Sequence, residues 1–212
     1  MMHANRRSAL KLLGGAALAA GSLPLLALPA AAQEPVYIGK KYQNIKRGTI
    51  NSVNAASHTF TIVWEDLGRF KLKASDLVTN YKDLKPGQVC DVQWYDYVDV
   101  LIAPMTAASM AQAQALVKNG AKIEGVAGAQ PSIKLWEMDG MVTKVDPANS
   151  QIFMIYKAGG EPDSPMAHAG EVIQLPRIVT DAGKAAMASL KPGDQAVAVF
   201  SQQTAITVKI IR

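Results

Sequence analysis

Met166 and His168 stand two residues apart in the segment Gly159-Gly160-Glu161-Pro162-Asp163-Ser164-Pro165-Met166-Ala167-His168-Ala169-Gly170. A thioether sulfur and an imidazole nitrogen are soft to borderline ligands, the kind suited to Cu(I) or Ag(I). Met138 and Met141 would supply further sulfurs, with Trp136 nearby, if this loop folds back over the strand that carries them. The competing reading is structural, because methionine fills irregular gaps in cores and a loop histidine is ordinarily solvated.

A second constellation is aromatic. Trp94-Tyr95-Asp96-Tyr97 reads as the tip of a hairpin, with Asp91 and Asp99 on either side. Aromatic side chains at such a place suit a ligand or partner surface. Cross-strand aromatic pairing within the hairpin is the alternative. The acidic residues are too spread out for a calcium loop.

Catalytic signatures do not appear. There is no Gly-x-Ser-x-Gly, no phosphate-cradling glycine loop, no His-Glu-x-x-His and no Cys-x-x-Cys. Cys90 is the single cysteine, so no intrachain disulfide can form. It lies in the strand-like run Val89-Cys90-Asp91-Val92, where a small buried hydrophobe is the natural reading. A non-enzymatic protein is expected, with no resident cofactor.

The elements that would position these residues come in two copies. Gly48-Thr49-Ile50-Asn51-Ser52-Val53-Asn54 followed by Thr59-Phe60-Thr61-Ile62-Val63-Trp64 returns as Gly140-Met141-Val142-Thr143-Lys144-Val145-Asp146 followed by Gln151-Ile152-Phe153-Met154-Ile155-Tyr156. Leu84-Lys85-Pro86-Gly87 returns as Leu190-Lys191-Pro192-Gly193. Each copy reads strand, polar turn, strand, third strand (69–73; 171–175), short link, Pro-Gly turn and a closing hairpin (89–95 with 98–102; 195–201 with 204–210). The strand residues are β-branched or aromatic, and Asn, Asp, Pro and Gly mark the breaks. Gly48 and Gly140 inside strand patterns indicate bulges or sharp coiling. Five short strands per copy is the count of a small OB-type barrel, which hides the edges that an open sheet would expose. The expectation is a mainly β fold: two tandem small five-stranded OB-like β-barrels joined by one α-helix, with modules at 38–103 and 138–212. Residues 104–120, opening with Pro104 and Thr106 and closing with Asn119-Gly120, predict the helix. Met110, Ala113, Leu116 and Val117 line its apolar face. A connector to residue 137 follows.

The second module, about residues 138–211, resembles the periplasmic copper and silver chaperones with an OB fold. The resemblance rests on Gly140 to Asp146, the strand 151–156 and Leu190-Lys191-Pro192-Gly193-Asp194. It implies mainly the fold. That family binds metal through a histidine after the second strand and a Trp-Pro-x-Met-x-Met stretch. Here Tyr156-Lys157 stands near the histidine position and the Trp-Pro-Met stretch is missing, so Met166 and His168 would be an independent solution.

Residues 1–32 read as a cleavable export signal. Arg6, Arg7 and Lys11 precede an apolar zone from Leu12 to about Leu28, and Ala30-Ala31-Ala32 places the cut before Gln33. Arg6-Arg7 resembles a twin-arginine signal, although Ala9 stands where that pattern wants a bulky residue. The signal holds three of the 22 basic residues and none of the 17 acidic ones, which leaves the mature chain at +2. That weak charge, with no Lys-Arg run, argues against nucleic-acid binding. The combined expectation is a periplasmic or secreted binding or interaction module for a small ligand or another periplasmic protein. No stable membrane insertion is expected after cleavage. A soft-metal carrier using Met166, His168, Met138 and Met141 is the alternative.

Overall fold

Strict alternation builds the strands: in the stretch Gly68–Ala74, Leu72 and Ala74 are buried while Arg69 and Lys71 face water. The computed structural model describes residues 36–126, 133–156 and 170–212. In chain order the strands are β1 (Val36–Ile38), β2 (Gln43–Asn54), β3 (Thr59–Trp64), β4 (Gly68–Ala74), β5 (Val89–Tyr95), β6 (Asp99–Pro104), β7 (Ala121–Ile123), β8 (Leu135–Asp146), β9 (Gln151–Tyr156), β10 (Val172–Gln174), β11 (Gln195–Ser201) and β12 (Thr204–Ile210). Helix α1 (Ala107–Asn119) lies between β6 and β7, and α2 (Asp181–Ser189) between β10 and β11. The chain is mainly β.

The internal repeat is visible in backbone detail. β2 and β8 are both twelve residues long. Their pairings with β3 and β9 slip two residues beyond Gly48 and Gly140, between Ile50 and Ser52 and between Val142 and Lys144. A side chain at Gly140 would place its Cβ 2.0 Å from the Ile155 carbonyl oxygen, and one at Gly48 would come within 2.8 Å of Val63 O. The strands coil too tightly there for any other residue. His58 and Ser150, just before β3 and β9, take positive φ of 52° and 53°. The two Pro-Gly turns close alike, with Gly87 N–H donating to Ile50 O and Gly193 N–H to Val142 O, both at 2.8 Å.

The expected closing hairpins do not form. β5 pairs with β12 and β2, whereas β6 pairs with β11, so the two copies exchange their last strands. A two-residue hairpin needs positive φ in its loop. Asp96, Tyr97, Gln202 and Gln203 have none, so each chain end continues across into the other sheet. The two crossings are tied together. Ser201 Oγ donates to Asp96 O at 3.0 Å and accepts from Val98 N–H at 2.8 Å, and Ser201 N–H donates to Val98 O at 2.9 Å.

Hydrogen bonding runs around a closed ring in the first sheet, in the order β12-β4-β3-β2-β5, while the second is an open sheet in the order β10-β9-β8-β11-β6. The two copies differ at the residue after the third strand's matched leucine. Ring closure uses the Lys73 N–H, which donates to Gln203 O at 3.0 Å, just beyond Leu72. In the second copy Leu175 N–H donates to Ile152 O, and the next residue is Pro176, which has no N–H to offer. There α2 and β6 are joined by a side chain instead. Asp99 at the start of β6 accepts from the backbone N–H groups of Val179 (2.7 Å) and Thr180 (3.1 Å).

Each sheet has its own core, around Phe60, Trp64 and Trp94 in the first and Met138, Met154 and Phe200 in the second. A third apolar layer forms where α1 lies over the outer face of the second sheet, with Ala113 and Leu116 packed on Leu135, Val197 and Val199. Thr106 and Ser109 cap the helix start reciprocally, and Gly120 ends it at φ 63°. Met110 and Val117 are half-buried against the same layer. Tyr95 of β5 and Ile206 of β12 belong to the same layer, so it reaches the first sheet as well.

Candidate functional site

β4 sets out cations at alternate positions. Arg69, Lys71 and Lys73 share its outer face, because same-face residues recur about every 6.6 Å along a strand. They form one wall of a cleft of about 890 Å³, within the ligand-sized range of roughly 300–1,000 Å³. The opposite wall carries Lys118, in the last turn of α1, where the helix dipole favours a cation. It also carries Lys134, whose Nζ lies 4.2 Å from the centre of the Trp136 ring. Among the described lining residues Asp76 is the one carboxylate.

The floor is held by short-range bonds. His58 Nδ1 is 2.9 Å from Ala74 O, and its ring centre is 4.0 Å from that of Tyr81. Tyr81 Oη in turn bonds the carbonyls of Asn54 (2.8 Å) and Thr59 (2.9 Å). Lys73 Nζ donates to Ser57 O at 2.6 Å, which fixes that ammonium at the end of the cationic row. Arg69, Lys71 and Lys118 have no ion-pair partner among the described residues. Tyr97 also lines the cleft, and burial first, then the charge of Asp96, pushes its phenol above the usual tyrosine range. It is a neutral hydroxyl.

β4 also presents an open edge. Lys73 and Ser75 donate their N–H groups to Gln203 O and Ala205 O of the β12 side, while Ala74 donates to His58 O on the β3 side. Peptide groups of alternate residues point the same way along a strand. The N–H and C=O groups of Lys71 and Arg69 therefore face the β12 side too. β12 pairs only with Lys73 and Ala74. Among the described residues, nothing pairs with that part of the edge.

The chain matches no protein-family model and no curated protein.

The aromatic surface expected from the sequence is redistributed. Trp94 stacks on Trp64 inside the first core, ring centres 4.5 Å apart, and Tyr95 is fully buried in the layer under α1. Neither is at a hairpin tip, because no hairpin forms and β5 is paired on both sides. Tyr97 alone of the three reaches the cleft. Met166 and His168 lie outside the described residues. Met138 is buried in the second core, whereas Met141, three residues on, is on the outer face of β8, so those two sulfurs do not share a side. Cys90 is fully buried in the first core. Burial first, then Asp91, pushes its thiol up, which makes it a poor nucleophile. The cationic row was readable as Arg69-Phe70-Lys71-Leu72-Lys73, charge alternating with hydrophobe. Its partners on the far wall were not, since Lys118 and Lys134 join it only through the fold.

Proposed function

We propose that this chain is an exported, non-enzymatic binding protein built on two tandem OB-like β modules, and that the cleft beside β4 takes an anionic ligand. One observation carries this reading. Five cations from three separate segments converge on a ligand-sized concavity with one carboxylate among its described lining residues, and with Phe70, Tyr97 and Trp136 to pack against. Cations held in a concave site concentrate an anion far better than the same charges scattered on a convex surface. Five-stranded OB-type barrels bind on a strand face and its adjoining loops, and β4 with the segment at Gln202 and Gln203 answers to that description. Export rests on the N-terminal signal pattern of residues 1–32. A non-enzymatic role rests on the lack of any nucleophile or metal motif in the sequence.

The test is fluorescence anisotropy of the mature chain, residues 33–212, against labelled anions of different backbone: a polyglutamate peptide, polyphosphate and oligogalacturonate. At least one is expected to bind more tightly than about 100 μM. The double variant Arg69→Glu, Lys71→Glu, folded by circular dichroism, is expected to bind it at least about tenfold more weakly. If all three probes fail to bind, or the variant binds as well as the parent, the reading falls.

A further inference from the structure

Resting on that anion-binding reading, we infer that the occupant of the cleft is an extended acidic peptide segment of a partner protein, added as a further strand along the open edge of β4. Two independent features meet here. The first is the backbone of Arg69 and Lys71, unpaired on that side among the described residues, whose N–H and C=O groups point toward the cleft side of the strand. Such an edge recognises another peptide backbone through main-chain hydrogen bonds, with side-chain contacts giving selectivity. The second is the spacing of charge. A peptide strand laid beside β4 repeats its same-face side chains about every 6.6 Å, the interval that separates Arg69 from Lys71. Directly opposed side chains on paired strands have Cβ atoms about 4.5–5.5 Å apart, where opposite charges stabilise the pair.

Carboxylates at alternate positions would then meet Arg69 and Lys71, with Lys118 also lining the cleft. The intervening residues would turn toward Phe70, the inward-facing neighbour between the two cations. A charged edge often serves only to repel other strands. Lone protective lysines, however, do not need a second wall of like charge or an aromatic lining. A sugar or phosphate polymer would satisfy the cations but leave the Arg69 and Lys71 peptide groups unmatched, which is why a peptide is favoured.

The mature protein is titrated with a capped peptide of alternating Glu and Val, seven residues long, and with two versions N-methylated at every Glu or at every Val. N-methylation keeps the charge and removes hydrogen-bond donors from one side of the strand. One of the two is expected to bind at least about tenfold more weakly than the parent. Hydrogen exchange of the Arg69 and Lys71 amides is expected to slow when the parent peptide is bound and not when polyphosphate is bound. The inference is overturned if both methylated peptides match the parent, or if those two amides exchange at unchanged rates. Charge-dependent binding of polyphosphate without binding of the peptide overturns strand addition and leaves the anion-binding reading standing. Failure of every anion overturns both.

Discussion

Asp99 is the buried carboxylate on which the second sheet's substitute for ring closure depends. Only 3% exposed, it accepts from two backbone N–H groups and from the Thr180 hydroxyl, which itself caps α2 by accepting from Gly183 N–H at 2.9 Å. Gly183 is required for the same reason: a Cβ there would lie 1.9 Å from Asp99 Oδ2. Losing the carboxylate strands two part-buried amide donors, and each unsatisfied group of this kind costs about 1–3 kcal/mol. Asp99→Ala is therefore expected to lower stability by about 3 kcal/mol, read as a lower urea midpoint with unchanged slope. Gly183→Ala is expected to act in the same direction. A midpoint within error of the parent for both would show that Asp99 does not hold α2 to β6. At this scale the sequence was a partial guide. Asp99 drew notice only as one of several acidic residues near an aromatic cluster, because its partners lie 80 residues away and leave no local signal. Cys90 was better marked, since a hydrophobic strand run is enough to bury a thiol.

At the scale of elements, strand positions followed from side-chain type while strand partners did not. β2, β3, β5, β8, β9, β11 and α1 fall where alternation, Gly-Pro turns and capping residues put them. The two hairpins were inferred from short connections between strands, and shortness alone is a poor guide. Asp96-Tyr97 and Gln202-Gln203 lack the Gly or Asn that a tight turn demands, a signal already present in the residues. Strand exchange makes a direct prediction. Gln93 and Thr207 are opposed on β5 and β12, with their side chains 3.1 Å apart. Opposed Cα atoms in antiparallel strands are about 4.5–5.5 Å apart, a separation a disulfide spans without strain. The variant Gln93→Cys, Thr207→Cys should oxidise to one intramolecular link between those residues, seen by peptide mapping under non-reducing conditions. A protein in which β5 pairs with β6 and β12 with β11 would give free thiols or intermolecular products.

For the whole molecule, exchange makes the two sheets depend on one another. The first ring is closed by β12 from the far end of the chain, and the second sheet has β6 as its edge. Fragments 33–106 and 107–212 each lack a strand of their own sheet and expose apolar faces that the other covers. Separately they are expected to be largely unfolded, with poor dispersion in amide NMR spectra, and to recover dispersion when mixed. Independent folding of either fragment would argue that the sheets are self-sufficient. The cleft belongs to this scale as well, since its walls come from β4, the end of α1 and the start of β8.

The sequence by itself determined most of the strand stretches, though not the short β1 and β7, as well as where α1 begins and ends, that two copies of one plan exist, and that the glycines at 48 and 140 mark the tightest coiling. These follow from local stereochemistry and from alternation along a single strand, which the residues carry in order. Tertiary structure decided which strand lies beside which, that Trp94 and Tyr95 are interior while Tyr97 is not, and that distant lysines share one cleft. Strand pairing depends on contacts between residues far apart in the chain, so no run of neighbouring residues encodes it.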